Sequence, residues 1–329
     1  MSPQFVDFNG DGHLDIVCGI FDGSPHVAFG DGTHWRQPVG ILDKEGQRIV
    51  MNEFWNFDTE QWDSTHRCDP DGGAPAPGHL TSAIAMDIDR DGDFDLVLGD
   101  HKSGYVYLRR NEGTDASPAF ATRNELVMAG GSPMRDPGTV ATLRSVDWNG
   151  DGRLDLMVGG MGDPYGSATG GGVAVYLDVG TGDATEFGPA VQLIEPSPKT
   201  ATGGPTRPDS GLHPEAVDFD GDGDLGLIVG GYSHWTPEGP ELTAAEQKEL
   251  AQTKARLAEI TARIVELNAE MLKAQEGLAA EAALELRRKL LQDPERKRLR
   301  SEEQKLRRRQ NELEPTAKRV SFTWLYEQY

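Results

Sequence analysis

Residues 87–99 read DIDRDGDFDLVLG, and the same frame recurs as DFNGDGHLDIVCG at 7–19, DWNGDGRLDLMVG at 147–159 and DFDGDGDLGLIVG at 218–230. The four copies align without gaps, and their first residues are Asp7, Asp87, Asp147 and Asp218. Self-similarity on this scale marks a repeat architecture in which each copy supplies one supersecondary unit. A short apolar stretch precedes each copy (QFVD, AIAMD, LRSVD, EAVD), and an apolar run ending in Gly closes it. That pattern predicts strand, tight loop, buried strand.

The likeness extends past the loop. A third strand is expected at HVAF, YVYLRR and VAVYLDV, followed by a turn at Gly32-Thr33, Gly113-Thr114 and Gly180-Thr181. A fourth stretch with an aromatic lead follows at Trp35–Leu42, Phe120–Met128 and Phe187–Ile194. Four strands in about 60 residues is the arithmetic of a propeller blade. The expected fold class is therefore all-β, a β-propeller with four blades visible in residues 1–240 and belonging to a larger ring. In the fourth unit, helix-forming sequence at 241–316 interrupts the blade, and third-strand sequence returns as SFTWLY within 317–329. The chain opens at a first strand and shows no fourth stretch after Tyr326, so the expectation is a piece of a longer protein; an open last blade is the alternative.

Within each loop, positions 1, 3, 5 and 9 carry oxygen donors. They are Asp7, Asn9, Asp11 and Asp15; Asp87, Asp89, Asp91 and Asp95; and Asp147, Asn149, Asp151 and Asp155. Alternate positions along a tight turn face a common centre, and calcium takes six to eight hard oxygen ligands. The carbonyls at position 7 (His13, Asp93, Arg153, Asp224) are candidate ligands too, and Gly at position 6 permits the reversal. The fourth loop offers Asp218, Asp220 and Asp222 but has Gly226 at position 9, which predicts a weaker site. An EF-hand closes with an acid at position 12, where these loops have Cys18, Leu98, Val158 and Val229, and it continues into a helix rather than a strand. A solvated Asp-Gly hairpin would not need carboxylates recurring in register, because unneutralised they repel one another. Ca2+ is thus the expected cofactor, at three sites and a weaker fourth.

Charge is unevenly spread over a chain of net charge −22. Residues 1–240 hold 14 Lys/Arg against 38 Asp/Glu, whereas 241–319 hold 18 against 15. So acidic a surface is a poor partner for nucleic acid, which demands Lys/Arg against phosphate. Cys18 and Cys68 are too few for a disulfide framework, and Cys18 occupies the core position held elsewhere by Leu98, Val158 and Val229. No apolar run reaches membrane-spanning length, and MSPQFVDFNG carries no secretory leader.

The loops resemble those of the FG-GAP/VCBS repeat family, which includes the integrin α propeller and many secreted bacterial proteins. The resemblance covers about residues 3–235 and 320–326. It implies a propeller with Ca2+ between the first two strands of each blade, and it leaves the ligand open, because adhesion modules, lectins and a few lyases share the scaffold.

The insertion opens with a capping box, Thr243-x-x-Glu246. Thr253, Leu257, Ile260, Ile264, Leu267, Met271 and Ala274 follow at heptad spacing. Asp293-Pro294 reads as a second helix start, leading to Leu299, Leu306 and Leu313. Both ends attach to neighbouring strands, which predicts an antiparallel coiled-coil hairpin with its tip near 277–283. Residues 287–309 hold 11 basic against 4 acidic side chains. They suit either self-association through the 243–315 hairpin onto an acidic partner or a solvated face of Glu/Arg pairs. The loop at 43–80 carries Trp55, Trp62, His66, Cys68 and His79 among Asp58, Asp63, Asp69 and Asp71. It could bind a sugar, it falls short of a zinc site, and it most simply covers one face.

No catalytic motif is present, so no enzyme activity is expected; His213 and Glu215 are placed near a channel by position alone. The expected function is a secreted calcium-binding scaffold for a protein or polysaccharide ligand, with a propeller-based polysaccharide lyase or a lectin as the alternative. Extracellular calcium modules bind with Kd of about 10⁻⁴–10⁻³ M, which places the chain outside the cell, in the periplasm or at the cell surface.

Overall fold

The computed structural model describes residues 3–136, 139–162, 169–196, 204–205, 207–275 and 280–327. The chain divides into two compact units, 1–200 with 205–234 and 319–329, and 201–204 with 235–318.

The first unit is mostly β. Strands β1 (Gln4–Val6), β2 (Asp15–Gly19), β3 (Pro25–Ala28) and β4 (Val39–Gly40) form one sheet in chain order. A separate hairpin, β5 (Glu53–Asn56) and β6 (Gln61–Ser64), stands in the 43–80 loop. The second sheet joins β7 (Leu80–Met86), β8 (Asp95–Asp100), β9 (Val106–Arg109) and β10 (Glu125–Leu126). Next come β11 (Met128–Ala129), β12 (Ser132–Pro133), β13 (Val140–Val146), β14 (Asp155–Gly160), β15 (Val173–Asp178) and β16 (Phe187–Ile194), all in the third sheet. The fourth sheet is β17 (Ser210–Val217), β18 (Gly226–Trp235) and β19 (Lys318–Tyr326).

In every sheet the residue before the repeated loop pairs with position 9: Val6 with Asp15, Met86 with Asp95, Val146 with Asp155 and Val217 with Gly226. Each loop is therefore the tip of an antiparallel hairpin. The sheets bury their faces against one another. Val17, Val27 and Phe8 share a core with Leu96, Leu98 and Tyr107. Ile84, Val97 and Leu108 pack with Leu143, Leu156 and Tyr176. Met157 and Val173 in turn pack with Leu212, Leu227 and Val229. Removing this apolar area from water is the main stabilising term.

Of the three expected fourth strands, β16 spans Phe187–Ile194 as the sequence suggests, and the other two are shorter. Within Trp35–Leu42 the ladder is interrupted: Trp35 bridges Gly30 and β4 pairs with His26 and Val27, while Pro38 between them lacks the N–H a ladder needs. Within Phe120–Met128 the backbone is diverted to the 43–80 loop: Asn124 N–H donates to the Cys68 carbonyl (2.9 Å), and Asn124 Nδ2 donates to the Val50 carbonyl (3.1 Å). After β10 the chain crosses to the third sheet, where β11 runs parallel to β16.

In the second unit Thr243 caps α1 (Ala244–Gln275) as a capping box: its N–H donates to Glu246 Oε2 (2.8 Å), and Glu246 N–H donates to Thr243 Oγ1 (3.3 Å). Asp293 ends α2 (Ala280–Leu291) and caps α3 (Pro294–Leu313), accepting Arg296 N–H at 3.0 Å. The arm beyond the tip is thus two helices, because Pro294 cannot continue the preceding one. Ile260, Ile264 and Leu299 bury a seam flanked by Leu267 and Leu306. Ion pairs fix its register: Glu249, Arg256 and Arg263 meet Arg309, Glu302 and Glu295, advancing seven residues along α1 and retreating seven along α3. Helices α1 and α3 therefore run antiparallel. Part of the expected tip, including Gly277, lies outside the described residues.

Candidate metal centre

Two contacts recur in all four loops and make the local scaffold. The position-6 glycine donates its N–H to the position-1 carboxylate: Gly12 to Asp7, Gly92 to Asp87, Gly152 to Asp147 and Gly223 to Asp218, at 2.9, 3.1, 2.9 and 3.3 Å. Position 7 donates to the position-5 carboxylate: His13 to Asp11, Asp93 to Asp91, Arg153 to Asp151 and Asp224 to Asp222, at 2.9, 3.0, 3.0 and 2.9 Å. All four glycines have φ between +86° and +98°, a conformation that a Cβ resists. The chain thereby turns its carboxylates inward.

Position 9 has a role that sequence reasoning missed. Asp15, Asp95 and Asp155 are buried, and each accepts two backbone N–H groups. One comes from position 2 of its own loop: Phe8 (3.1 Å), Ile88 (3.3 Å) and Trp148 (2.9 Å). The other comes from the third-strand region: Gly30, Asn111 and Asp178, each at 2.7 Å. This aspartate staples the loop to the third strand while keeping a lone pair on each oxygen. Burial raises the Asp155 carboxyl and lifts that of Asp95 to about 6.

The loops differ at positions 1 to 5. In loops 1 and 3, Asn9 and Asn149 donate Nδ2 to Asp11 and Asp151 (3.1 and 2.9 Å), and the Asp11 and Asp151 N–H groups donate back to Asp7 and Asp147 (3.0 Å each). Asn9 chiefly holds the Asp11 carboxyl below the usual range; at Asp151 the Arg153 N–H does most of this. In loop 2, oxygens of Asp87, Asp89 and Asp91 lie within 4.8 Å of one another. Asp87 Oδ1 is buried with no hydrogen bond of normal geometry, although the Arg90 N–H acts on this carboxylate, and burial raises its carboxyl. Burial, and then the Asp91 charge, lift Asp93 to about 6. An orphaned carboxylate oxygen beside two further carboxylates fits a hard divalent cation, which would satisfy the first and neutralise the others.

In loop 4, Asp218, Asp220 and Asp222 converge equally closely but are all exposed. Asp218 Oδ1 accepts Gly221 N–H at 2.7 Å, and no staple stands at Gly226. Two side chains around loop 2 carry no repeat signal. Arg110 Nη1 pairs with Asp89 at 2.9 Å, and Asp115 accepts Phe94 N–H at 2.7 Å.

The remaining candidates do not converge. His66 pairs with Asp69 (2.8 Å), Cys68 is fully buried, and His66, Cys68 and His79 form no metal-ligand group among the described residues. Glu215 is paired with Arg144 (2.6 Å), and burial lowers His213 to about 4.

Comparison with known proteins completes the assignment. A family model described as an FG-GAP-like repeat matches residues 87–158 and again 147–229, each match running from one of these loops into the strand beyond the next. No curated protein matches the chain. With loop, strand and spacing all agreeing, residues 87–229 are an array of FG-GAP-like repeats.

Proposed function

We propose that this chain is a calcium-stabilised, non-catalytic binding or scaffold module built on a β-propeller. One observation carries the reading: the buried, unpartnered Asp87 Oδ1 within 4.8 Å of carboxylate oxygens from Asp89 and Asp91. Asp87, Asp89, Asp91 and Asp95 with the Asp93 carbonyl would hold the ion in loop 2, and the matching residues would do so in loops 1 and 3. The ion supplies charge neutralisation and rigidity to a hairpin tip. The propeller reading is supported by antiparallel sheets that bury their faces against one another in chain order. Seven-residue steps between the ion pairs support a coiled-coil hairpin in the second unit, suited to contact with a second copy or another protein.

Location outside the cytosol is part of the same proposal: extracellular calcium modules bind with Kd of about 10⁻⁴–10⁻³ M, and sites of that strength fill there. No described helix is long and apolar enough to cross a membrane. Calorimetric titration of the EDTA-stripped protein with calcium, paired with thermal melts, tests the proposal. Stabilisation of about 1–2 kcal/mol per site is expected when calcium exceeds Kd several-fold. No heat and no shift in Tm at 10-fold the upper Kd would overturn it.

A further inference from the structure

The β2–β3 turn and the β5–β6 hairpin hold two large aromatic rings in solvent. Phe21 is 68% exposed and Trp62 44%, with their ring centroids 5.4 Å apart and edge-to-face. Beneath them lies His79, only 8% exposed, its imidazole 4.5 Å from Trp62 and 5.8 Å from Phe21. The His79 backbone is satisfied: its N–H donates to Asp100 Oδ1 (3.0 Å), and its carbonyl accepts His101 N–H (2.8 Å). Its Nε2 is buried with no partner. An unmet buried polar atom costs about 1–3 kcal/mol, and in a native protein it calls for a reason.

The support under the rings is rigid. Arg48 donates to the Trp55 carbonyl (2.8 Å) and to Asp22 Oδ2 (3.0 Å), while Trp55 N–H donates to the Asp22 carbonyl (2.8 Å). Gly23, at φ +87°, lays the turn so close to β5 that a Cβ would stand 2.9 Å from the Glu53 carbonyl. Residues 20–24 are thereby clamped to the hairpin. At the rim, Glu53 is ion-paired with Lys102. Exposed aromatic rings carried on a fixed backbone above an unmet buried polar atom mark an interaction site. A ligand suited to this one has an apolar C–H face for the rings and hydroxyl groups for the imidazole nitrogen and the charged rim. The carboxylate-rich surface disfavours a nucleic acid, whose bases could stack equally well.

We infer that Phe21, Trp62 and His79, with Glu53 and Lys102 at the rim, form a subsite for a neutral pyranose unit of a polysaccharide. This rests on the reading of the chain as a binding module but not on its calcium. The pyranose stacks on the exposed face of Trp62 with the Phe21 ring standing edge-on beside it, and a small rotation of the Trp62 side chain lets a hydroxyl reach His79 Nε2.

The test is native gel electrophoresis of the full chain through laminarin, arabinoxylan, galactomannan and dextran, all uncharged, so that net charge cannot cause retardation. At least one is expected to retard the protein. The double variant Phe21→Ala/Trp62→Ala should migrate freely, with an unchanged melting curve. His79→Ala should weaken retardation about tenfold, and His79→Gln, which keeps a hydrogen-bonding group, less so. Unretarded migration in all four gels overturns the inference, as does full retardation of the double variant. Should the double variant not fold, Phe21→Ala alone carries the test. Retardation in EDTA, or a calcium-shifted Tm without retardation, shows which of the two readings has failed.

Discussion

Loops 2 and 4 start from nearly the same sequence, DIDRDGDFD against DFDGDGDLG, and share the glycine reversal and the position-7 contact. They differ in what surrounds the carboxylates. Loop 2 is half-buried, stapled by Asp95 to Asn111 just beyond β9 and left with an unmatched Asp87 oxygen. Loop 4 is exposed, has no staple and relieves its repulsion in water. Carboxylate clustering is therefore shared, but demand for a cation is not. Repulsion in high dielectric is weak, and burial is what makes it costly.

Removing the staple gives the largest expected effect. Asp95→Ala leaves the Ile88 and Asn111 N–H groups buried without an acceptor, a cost of about 2–5 kcal/mol in urea denaturation. A loss below about 1 kcal/mol would put loop 2 on the same footing as loop 4.

A charge removed from each cluster separates the two more directly. Asp89→Asn is expected to weaken the tightest calcium site at least tenfold by calorimetry, equal to about 1.4 kcal/mol. Asp220→Asn should leave that site within threefold. Equal losses from both would erase the distinction.

Proton linkage sharpens it further. Asp93 and Asp95 titrate near 6 when folded, above the ordinary aspartate value. Their contribution is fully present at pH below that ordinary value and is lost as pH rises through about 6. His213 works in the opposite sense: with its folded value near 4, stability is lost as pH falls from about 6.5 towards 4. In EDTA, Asp93→Asn should raise Tm by a few degrees at pH 7 and leave it unchanged at pH 4. Millimolar calcium should cancel the gain. An Asp93→Asn gain that is independent of both pH and calcium would break the argument.

The smallest effect tests whether loop 4 can be converted. A Cβ at Gly226 would lie 3.0 Å from the Tyr326 carbonyl, so Gly226→Asp is expected to cost about 1 kcal/mol without metal. With metal it should gain a measurable fourth calcium site. Stabilisation in EDTA would mean that the staple alone, without an ion, is worth having.

Much of this was legible in the residues. Recurring D-x-[DN]-x-D-G frames place the four hairpin tips, and Thr243 with Glu246 and Asp293 with Pro294 mark helix starts that α1 and α3 respect. SFTWLY lies inside β19, beside β18, with three helices between them in the chain. The β11–β12 crossing to the third sheet was not legible, nor was the diversion of Asn124 to the 43–80 loop. Both are settled by partners distant in sequence. Position 9 reads as a further ligand because its residue type is the same as that of positions 1 and 5; that it also staples the loop through two N–H partners becomes visible only when the third strand is in place.

The sequence by itself determined the repeat, the turn chemistry and the heptad seam, because each depends on neighbours a few residues apart whose geometry the backbone already constrains. The tertiary structure decided which clustered carboxylates are short of a partner, since dielectric and access to water depend on what packs around a loop. It also decided that Phe21, Trp62 and His79, spread over some sixty positions, meet at one place on the surface.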